Sequence, residues 1–155
     1  MRVREIGLRC AVGTPSRAFI ELQSVGADAS LDGRLTLKWL DSNGQTTGDL
    51  SGALFAHAGL YLPIGTSLLI APTSFAQVGP APDITLAFQP DTVGGRVLLI
   101  RARSDGKADT LSDVAYGPQS VSIAAGRSLA LTVDGRYAEA YATPTNLAGQ
   151  SVKNS

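Results

Sequence analysis

Few side chains in this sequence carry the chemistry that catalysis or metal binding needs. His57, in Leu54-Phe55-Ala56-His57-Ala58-Gly59-Leu60, is the single histidine, which excludes every site built on two imidazoles. As a general base it would need a nucleophile and an orienting group beside it. No Gly-x-Ser-x-Gly elbow occurs, and nothing sets apart the nearby Ser51 and Ser67. His57 therefore reads as a structural histidine. Cys10 is the single cysteine, which excludes an intrachain disulfide and a cysteine-rich zinc site. With only Arg9 to make its surroundings electropositive, it reads as a small buried hydrophobe rather than a reactive thiol.

Asp28-Ala29-Ser30-Leu31-Asp32-Gly33 matches the opening of a calcium loop, with oxygens at alternate positions and Gly at the sixth. The position that should supply a bidentate Glu falls on Trp39, so the segment reads as a turn. Asp105-Gly106-Lys107-Ala108-Asp109, with Asp113 beyond, reads as a solvated turn because Lys107 opposes a cation. Glu21 and Glu139 fall mid-strand, but two carboxylates at unknown separation are no evidence of a glycosidase. Neither a Gly-x-Gly-x-x-Gly run nor a P-loop occurs. The expectation is a chain that is not an enzyme, with no catalytic residue, no cofactor and no metal site.

Aromatic rings offer one further chemistry, stacking on sugars. The candidates for a carbohydrate-binding surface are Trp39, Tyr137 and Tyr141. Tyr137 and Tyr141 share a strand face with Glu139 between them, whereas Trp39 shares a face with Leu35 and Leu37 and fits a core better.

The elements that would position these residues are strands. Arg34-Leu35-Thr36-Leu37-Lys38-Trp39-Leu40 alternates cleanly, apolar on one face and polar on the other. Val3–Leu8, Ala18–Val25, Ser67–Ala71, Asp83–Phe88, Arg96–Arg103, Gln119–Ala124, Ser128–Val133 and Arg136–Tyr141 complete nine strand candidates. Gln45–Leu50 and Ala53–Leu60 are weaker ones. Asp134-Gly135 is a two-residue hairpin signal, Asp41-Ser42-Asn43-Gly44 a longer hairpin loop and Asp32-Gly33 a turn. No twelve-residue window carries a capped amphipathic helix. The expected fold is all-β, an antiparallel β-sandwich of jelly-roll type with about 9–11 short strands. Residues 1–142 would form one domain, and 143–155 a polar tail that is either frayed or an arm that orders against a partner.

Lys plus Arg and Asp plus Glu both number 13, and only 17% of residues are charged against a usual share of about 25%. That balance argues against a nucleic-acid partner held by phosphate neutralisation. The apolar stretch from Ser51 to Pro72 is broken by Gly52, Gly59, Pro63 and Gly65, which argues against a membrane span. Glu5 interrupts the basic start and no apolar run follows, so no signal peptide is expected and synthesis would be cytoplasmic.

The most unusual feature is a gap. No Asp, Glu, Lys or Arg occurs between Asp49 and Asp83, although Pro63, Gly65, Pro72, Gly79, Pro80 and Pro82 force loops there. Loops lie on the surface and are normally polar. Uncharged loops carrying Leu60, Tyr61, Leu62, Ile64, Phe75 and Val78 either fold back over the core of the same domain or form surface that another molecule covers. The second reading is preferred, since charge depletion with aromatic enrichment marks an interface core.

Two segments set the texture of the chain: Val93-Gly94-Gly95-Arg96-Val97-Leu98-Leu99-Ile100, and the run from Ala124 to Arg136 that includes Ser128-Leu129-Ala130-Leu131-Thr132-Val133-Asp134-Gly135. With the uncharged middle and polar tail, they make the chain resemble the small all-β accessory structural proteins of tailed bacteriophage virions. These are head-decoration, tail and fibre-attachment subunits. The resemblance implies a multi-copy, non-enzymatic virion protein, found in the virion. Its partners would be itself, as a homo-oligomer, and a larger capsid or tail subunit.

Overall fold

Period-two alternation builds most of the strands that form. The computed structural model describes residues 1–8, 18–77, 79–88, 90–91, 93–124 and 127–151. Cys10 and Val78 lie outside them. Among the described residues the strands are β1 (Arg2–Gly7), β2 (Phe19–Gln23), β3 (Ala29–Ser30), β4 (Leu35–Asp41), β5 (Thr46–Asp49) and β6 (Tyr61–Leu62). They continue with β7 (Ser67–Ala71), β8 (Ile84–Thr85), β9 (Gly95–Ala102), β10 (Ala108–Tyr116), β11 (Arg127–Leu131) and β12 (Tyr137–Tyr141). One helix, α1 (Ser51–Ala56), and a 3-10 turn at Thr73–Gln77 interrupt them. No helix among the described residues is long and apolar enough to cross a membrane.

The strands form a six-stranded sheet ordered β12-β11-β1-β2-β7-β8, a four-stranded sheet ordered β10-β9-β4-β5 and the small pair β3-β6. Pairing is antiparallel except at β7–β8. Val3, Ile6, Ile20, Leu22, Ile70 and Leu129 of the large sheet share one buried cluster with Leu37, Trp39, Val97, Leu99 and Val114 of the second. One core between two sheets makes the fold all-β and sandwich-like. The Val3 amide donates to Ser112 Oγ at 2.9 Å, tying the sheets together. The jelly-roll connectivity expected from the strand count is not reproduced. β4–β5, β9–β10 and β11–β12 are local hairpins that each stay within one sheet.

Turn chemistry fixes these hairpins. Asp41 Oδ1 accepts the amides of Asn43 and Gln45, both at 2.9 Å, and Gly44 takes the positive φ (+80°) that closes the loop. Between β11 and β12, Gly135 has φ +82° and the Thr132 hydroxyl donates to the Asp134 carboxylate.

Three expected elements differ. Ala53–Leu60 is no strand: Ser51–Ala56 is helical, with Leu54 buried and the Ser51 amide donating to Asp49 Oδ1 at 3.0 Å. Gln119–Ala124 is loop, apart from a single bridge between Val121 and Tyr116. The segment taken for an acidic turn continues into β10, the longest strand among the described residues.

The outer face of the large sheet is covered. Phe19, Leu69, Ala71, Phe75 and Ala142 form a second buried cluster, with the Phe19 and Phe75 rings tilted at 5.5 Å. Over this face runs the segment that follows β12. Residues 143–151, from the segment expected to be a frayed tail or a partner-bound arm, lie against the domain itself, with Pro144 and Asn146 buried.

Candidate functional site

The charge-free stretch splits into a buried and an exposed half. Leu62 and Phe75 are fully buried, Leu62 in the main core and Phe75 in the outer cluster, so neither presents the surface expected of it. Their burial follows from alternation on β6 and from the packing of the 3-10 turn against Phe19. Leu60 is half-buried, packs on the core, and its carbonyl accepts the Leu31 amide at 2.9 Å. Tyr61 and Ile64 remain outside, each 57% exposed, joined by Phe55 at 66% and Val25 at 45%.

These four residues belong to one end of the molecule. β3 and β6 pair Ser30 with Tyr61. Asp28 accepts the Tyr61 hydroxyl and, through Oδ1, the Ile64 backbone amide at 2.7 Å, which fixes the Tyr61 side chain and the Ile64 backbone. These two bonds hold the Asp28 carboxyl below the usual carboxylate range, and the bond to Asp28 pushes the Tyr61 phenol up. The Gly65 amide donates to Ser24 at 2.9 Å, placing the Ile64 turn beside Val25. The Phe55 ring lies against Gly33, where an added Cβ would sit 3.0 Å from the ring. The result is an exposed apolar surface in which Asp28 is engaged with Tyr61 and Ile64.

The sugar-stacking candidates are not brought together. Trp39 is fully buried, its Nε1–H donating to the Tyr116 hydroxyl at 2.9 Å. Burial pushes the Tyr116 phenol up to about 12. Tyr137 is half-buried and donates to the Val3 carbonyl. Glu139 pairs with Leu129, so the Tyr-x-Glu-x-Tyr row lies on the core-facing side of an edge strand. Tyr141 is exposed, but the Arg127 guanidinium covers its ring at 3.6 Å. The three rings form no common platform.

The other candidates are used locally. The His57 Nδ1–H donates to the Ala53 carbonyl at 2.9 Å. Asp32 accepts the Arg34 amide at 3.0 Å and meets Arg101 at 3.5 Å, while Asp105 accepts the Lys107 amide at 3.0 Å. A cleft of about 610 Å³ opens between the β4–β5 loop and the segment after β10, lined by Asn43, Gly94, Arg96, Tyr116 and Gln119 among others. Its charged groups are committed elsewhere, Arg96 to Asp113 at 2.9 Å and Asp41 to its own turn.

One constellation escaped the sequence reading: carboxylates buried on the outer face of the large sheet. Glu5 and Glu21 are both fully buried and stand opposite each other on β1 and β2. Glu5 accepts Thr143 N–H at 2.8 Å, Thr143 Oγ1 at 3.0 Å and the Ser128 hydroxyl. Arg4 Nη1 donates to both Glu21 oxygens at 2.9 and 3.0 Å and reaches Glu5 at 3.3 Å. Thr145 N–H donates to Glu21 at 3.2 Å, and Leu147 N–H to Asp83 at 2.9 Å. Burial pushes the Glu21 carboxyl up to about 7 against the pull of Ser67, Arg4 and Thr145. Burial also raises Asp83. The alternating polar positions of β1 and β2 signalled only an outward face. Their covering by a segment more than a hundred residues away left no local trace.

The chain matches no protein-family model, no curated protein and no solved structure.

Proposed function

We propose that this chain is a non-enzymatic assembly subunit that acts through contacts with further copies of itself, made by the apolar end of Val25, Phe55, Tyr61 and Ile64. The observation that carries this reading is the exposure of these four large side chains together, three of them within a stretch that holds no charge. Monomeric proteins rarely expose contiguous apolar patches larger than roughly a few hundred Å². Balanced charge removes the long-range repulsion that would keep copies apart. Each of these side chains is already about half covered, so completing its burial contributes half of the roughly 1.5–3 kcal/mol of a whole apolar side chain, and several together can hold a symmetric contact.

The resemblance to small accessory proteins of tailed-phage virions supports a place in a virion, as a head-decoration or tail and fibre-attachment subunit beside a larger capsid or tail protein. Function in that setting is the contact itself, with neither a nucleic acid nor a membrane as partner.

Light scattering behind size exclusion, over a hundredfold dilution, tests the reading. A fixed multiple of 16.0 kDa is expected, collapsing to one chain when Tyr61 and Ile64 are both replaced by Lys. A single-chain mass for the wild type at every concentration overturns it.

A further inference from the structure

The arm that follows β12 is held by a pattern that makes no use of its covalent connection. Thr143, Thr145 and Leu147 each donate a backbone N–H to a carboxylate, reaching Glu5 on β1, Glu21 on β2 and Asp83 just before β8. The donors fall at every second residue, the period of an extended chain. Pro144, which has no N–H, occupies a position between them where none is required. Asp83 also accepts the Leu69 amide at 2.8 Å, so the third carboxylate joins the arm to β7. Beyond Leu147 the chain closes on itself, with the Asn146 amide donating to Gln150 at 3.1 Å and Gly149 at φ +74°. The Asn146 side chain donates to the Ala81 carbonyl at 3.1 Å. All three carboxylates therefore take a backbone N–H of the arm, and its side chains add the Thr143 hydroxyl on Glu5 and the Asn146 amide on Ala81.

We infer that the outer face of the six-stranded sheet is a binding groove for an extended peptide, and that its ligand in the assembled state is the Thr143–Ser151 arm of a second copy of this chain. Glu5 and Glu21 accept only from donors: Arg4, Ser67, Ser128 and the arm. An empty groove takes the Thr143 and Thr145 donors away from those carboxylates, which favours a filled groove. Which copy fills it is open to exchange. The arm leaves β12, the strand at the margin of the sheet, so its transfer to a neighbour unpairs no strand. In a dilute chain the tethered arm wins through its effective concentration, and a multi-copy assembly raises that of the neighbour's arm. The exchange rests on the multi-copy reading above, whereas the groove does not.

Two full-length variants separate the halves. Thr145→Pro with Leu147→Pro removes two arm donors and leaves the groove intact. Glu5→Gln with Glu21→Gln turns an amide NH2 toward the groove's donors and leaves the arm intact. Both are made with Tyr61→Lys and Ile64→Lys, so that the apolar end is disabled, and the mass of each variant alone reports separately on that end. On mixing, a one-to-one complex of two 16.0 kDa chains is expected, seen with neither variant alone. A fluorescent peptide of residues 141–151 should bind the proline variant. It should bind the glutamine variant roughly tenfold or more weakly, the loss expected for hydrogen bonds to charged groups. Peptide binding without a mixed dimer overturns the exchange. Absence of peptide binding to a proline variant that circular dichroism shows to be folded overturns the groove. If that variant does not fold, titration of the wild-type chain decides, because its own arm only weakens the peptide, and no saturable binding at millimolar peptide overturns the groove.

Discussion

The apolar end and the covered outer face invert the usual rule of burial. At one end Phe55, Tyr61 and Ile64, in a stretch without charge, stand in water. On the outer face of the large sheet two glutamates are fully buried. The difference shows that burial here follows satisfied valence rather than side-chain type. Glu5 collects donors from its own strand, from β11 and from the arm, and Glu21 collects them from β1, β7 and the arm. The exposed apolar residues have an immediate charged neighbour, Asp28, only as a partner that positions them.

The strongest way to break this contrast is Glu5→Ala. It strands Thr143 N–H, the Thr143 and Ser128 hydroxyls and one contact of Arg4, and a cost of about 3–5 kcal/mol is expected in chemical denaturation. A loss near zero would mean the outer face carries no weight in the fold.

The next effect is pH dependence. Glu21 titrates near 4.5 when unfolded and about 7 when folded, because burial disfavours its charge. The folded state then binds the proton more tightly, so this contribution is fully present below pH 4.5 and lost as pH rises through 7. The stability lost across that window is about 3 kcal/mol. Arg4 and Glu5 face the same carboxyl, and Asp83 is raised in the same direction. Asp28, Asp49, Asp91 and Asp134 are lowered, so their contributions disappear only as pH falls below their usual 3.8. Denaturation midpoints across this range should decline with rising pH, and Glu21→Gln should flatten the curve.

Smaller effects sharpen the other side. Tyr61→Phe removes the bond to Asp28 and should lower stability only slightly, because both groups are exposed, while the Asp28 carboxyl, followed by NMR, moves up toward its ordinary range. Smallest is Ile64→Lys, whose folding stability should stay within about 0.5 kcal/mol of wild type, because the side chain is exposed. A large loss would place Ile64 in a packed environment.

Period two and turn residues made most strands legible, from Leu35-Thr36-Leu37-Lys38-Trp39 to the Asp134-Gly135 hairpin. β10 was missed because its register shifts between Thr110 and Ser112, which flips the alternation midway, and because the buried Ser112 looks like a solvent residue. Helix α1, at six residues, is too short to show a helical period. Tyr61 and Ile64 were legible as surface because Pro63 and Gly65 force a loop around them, but Leu62 between them was not separable by composition. The buried carboxylates were invisible, since a polar residue on an alternating strand signals an outward face and says nothing of what lies over it.

The ladder between β1 and β2 shifts between Val3 and Glu5: Leu22 stands opposite Val3, Glu21 opposite Glu5, and Arg4 has no partner. Arg4 is thus an additional residue in the strand, and this bulge lets two consecutive side chains reach the same side of the sheet. The counter-charge of two buried acids was added by length rather than by substitution, so no inward position was given up for it. Deleting Arg4 would leave a flat strand with Val3 and Ile6 still facing the core, and the acids without their cation.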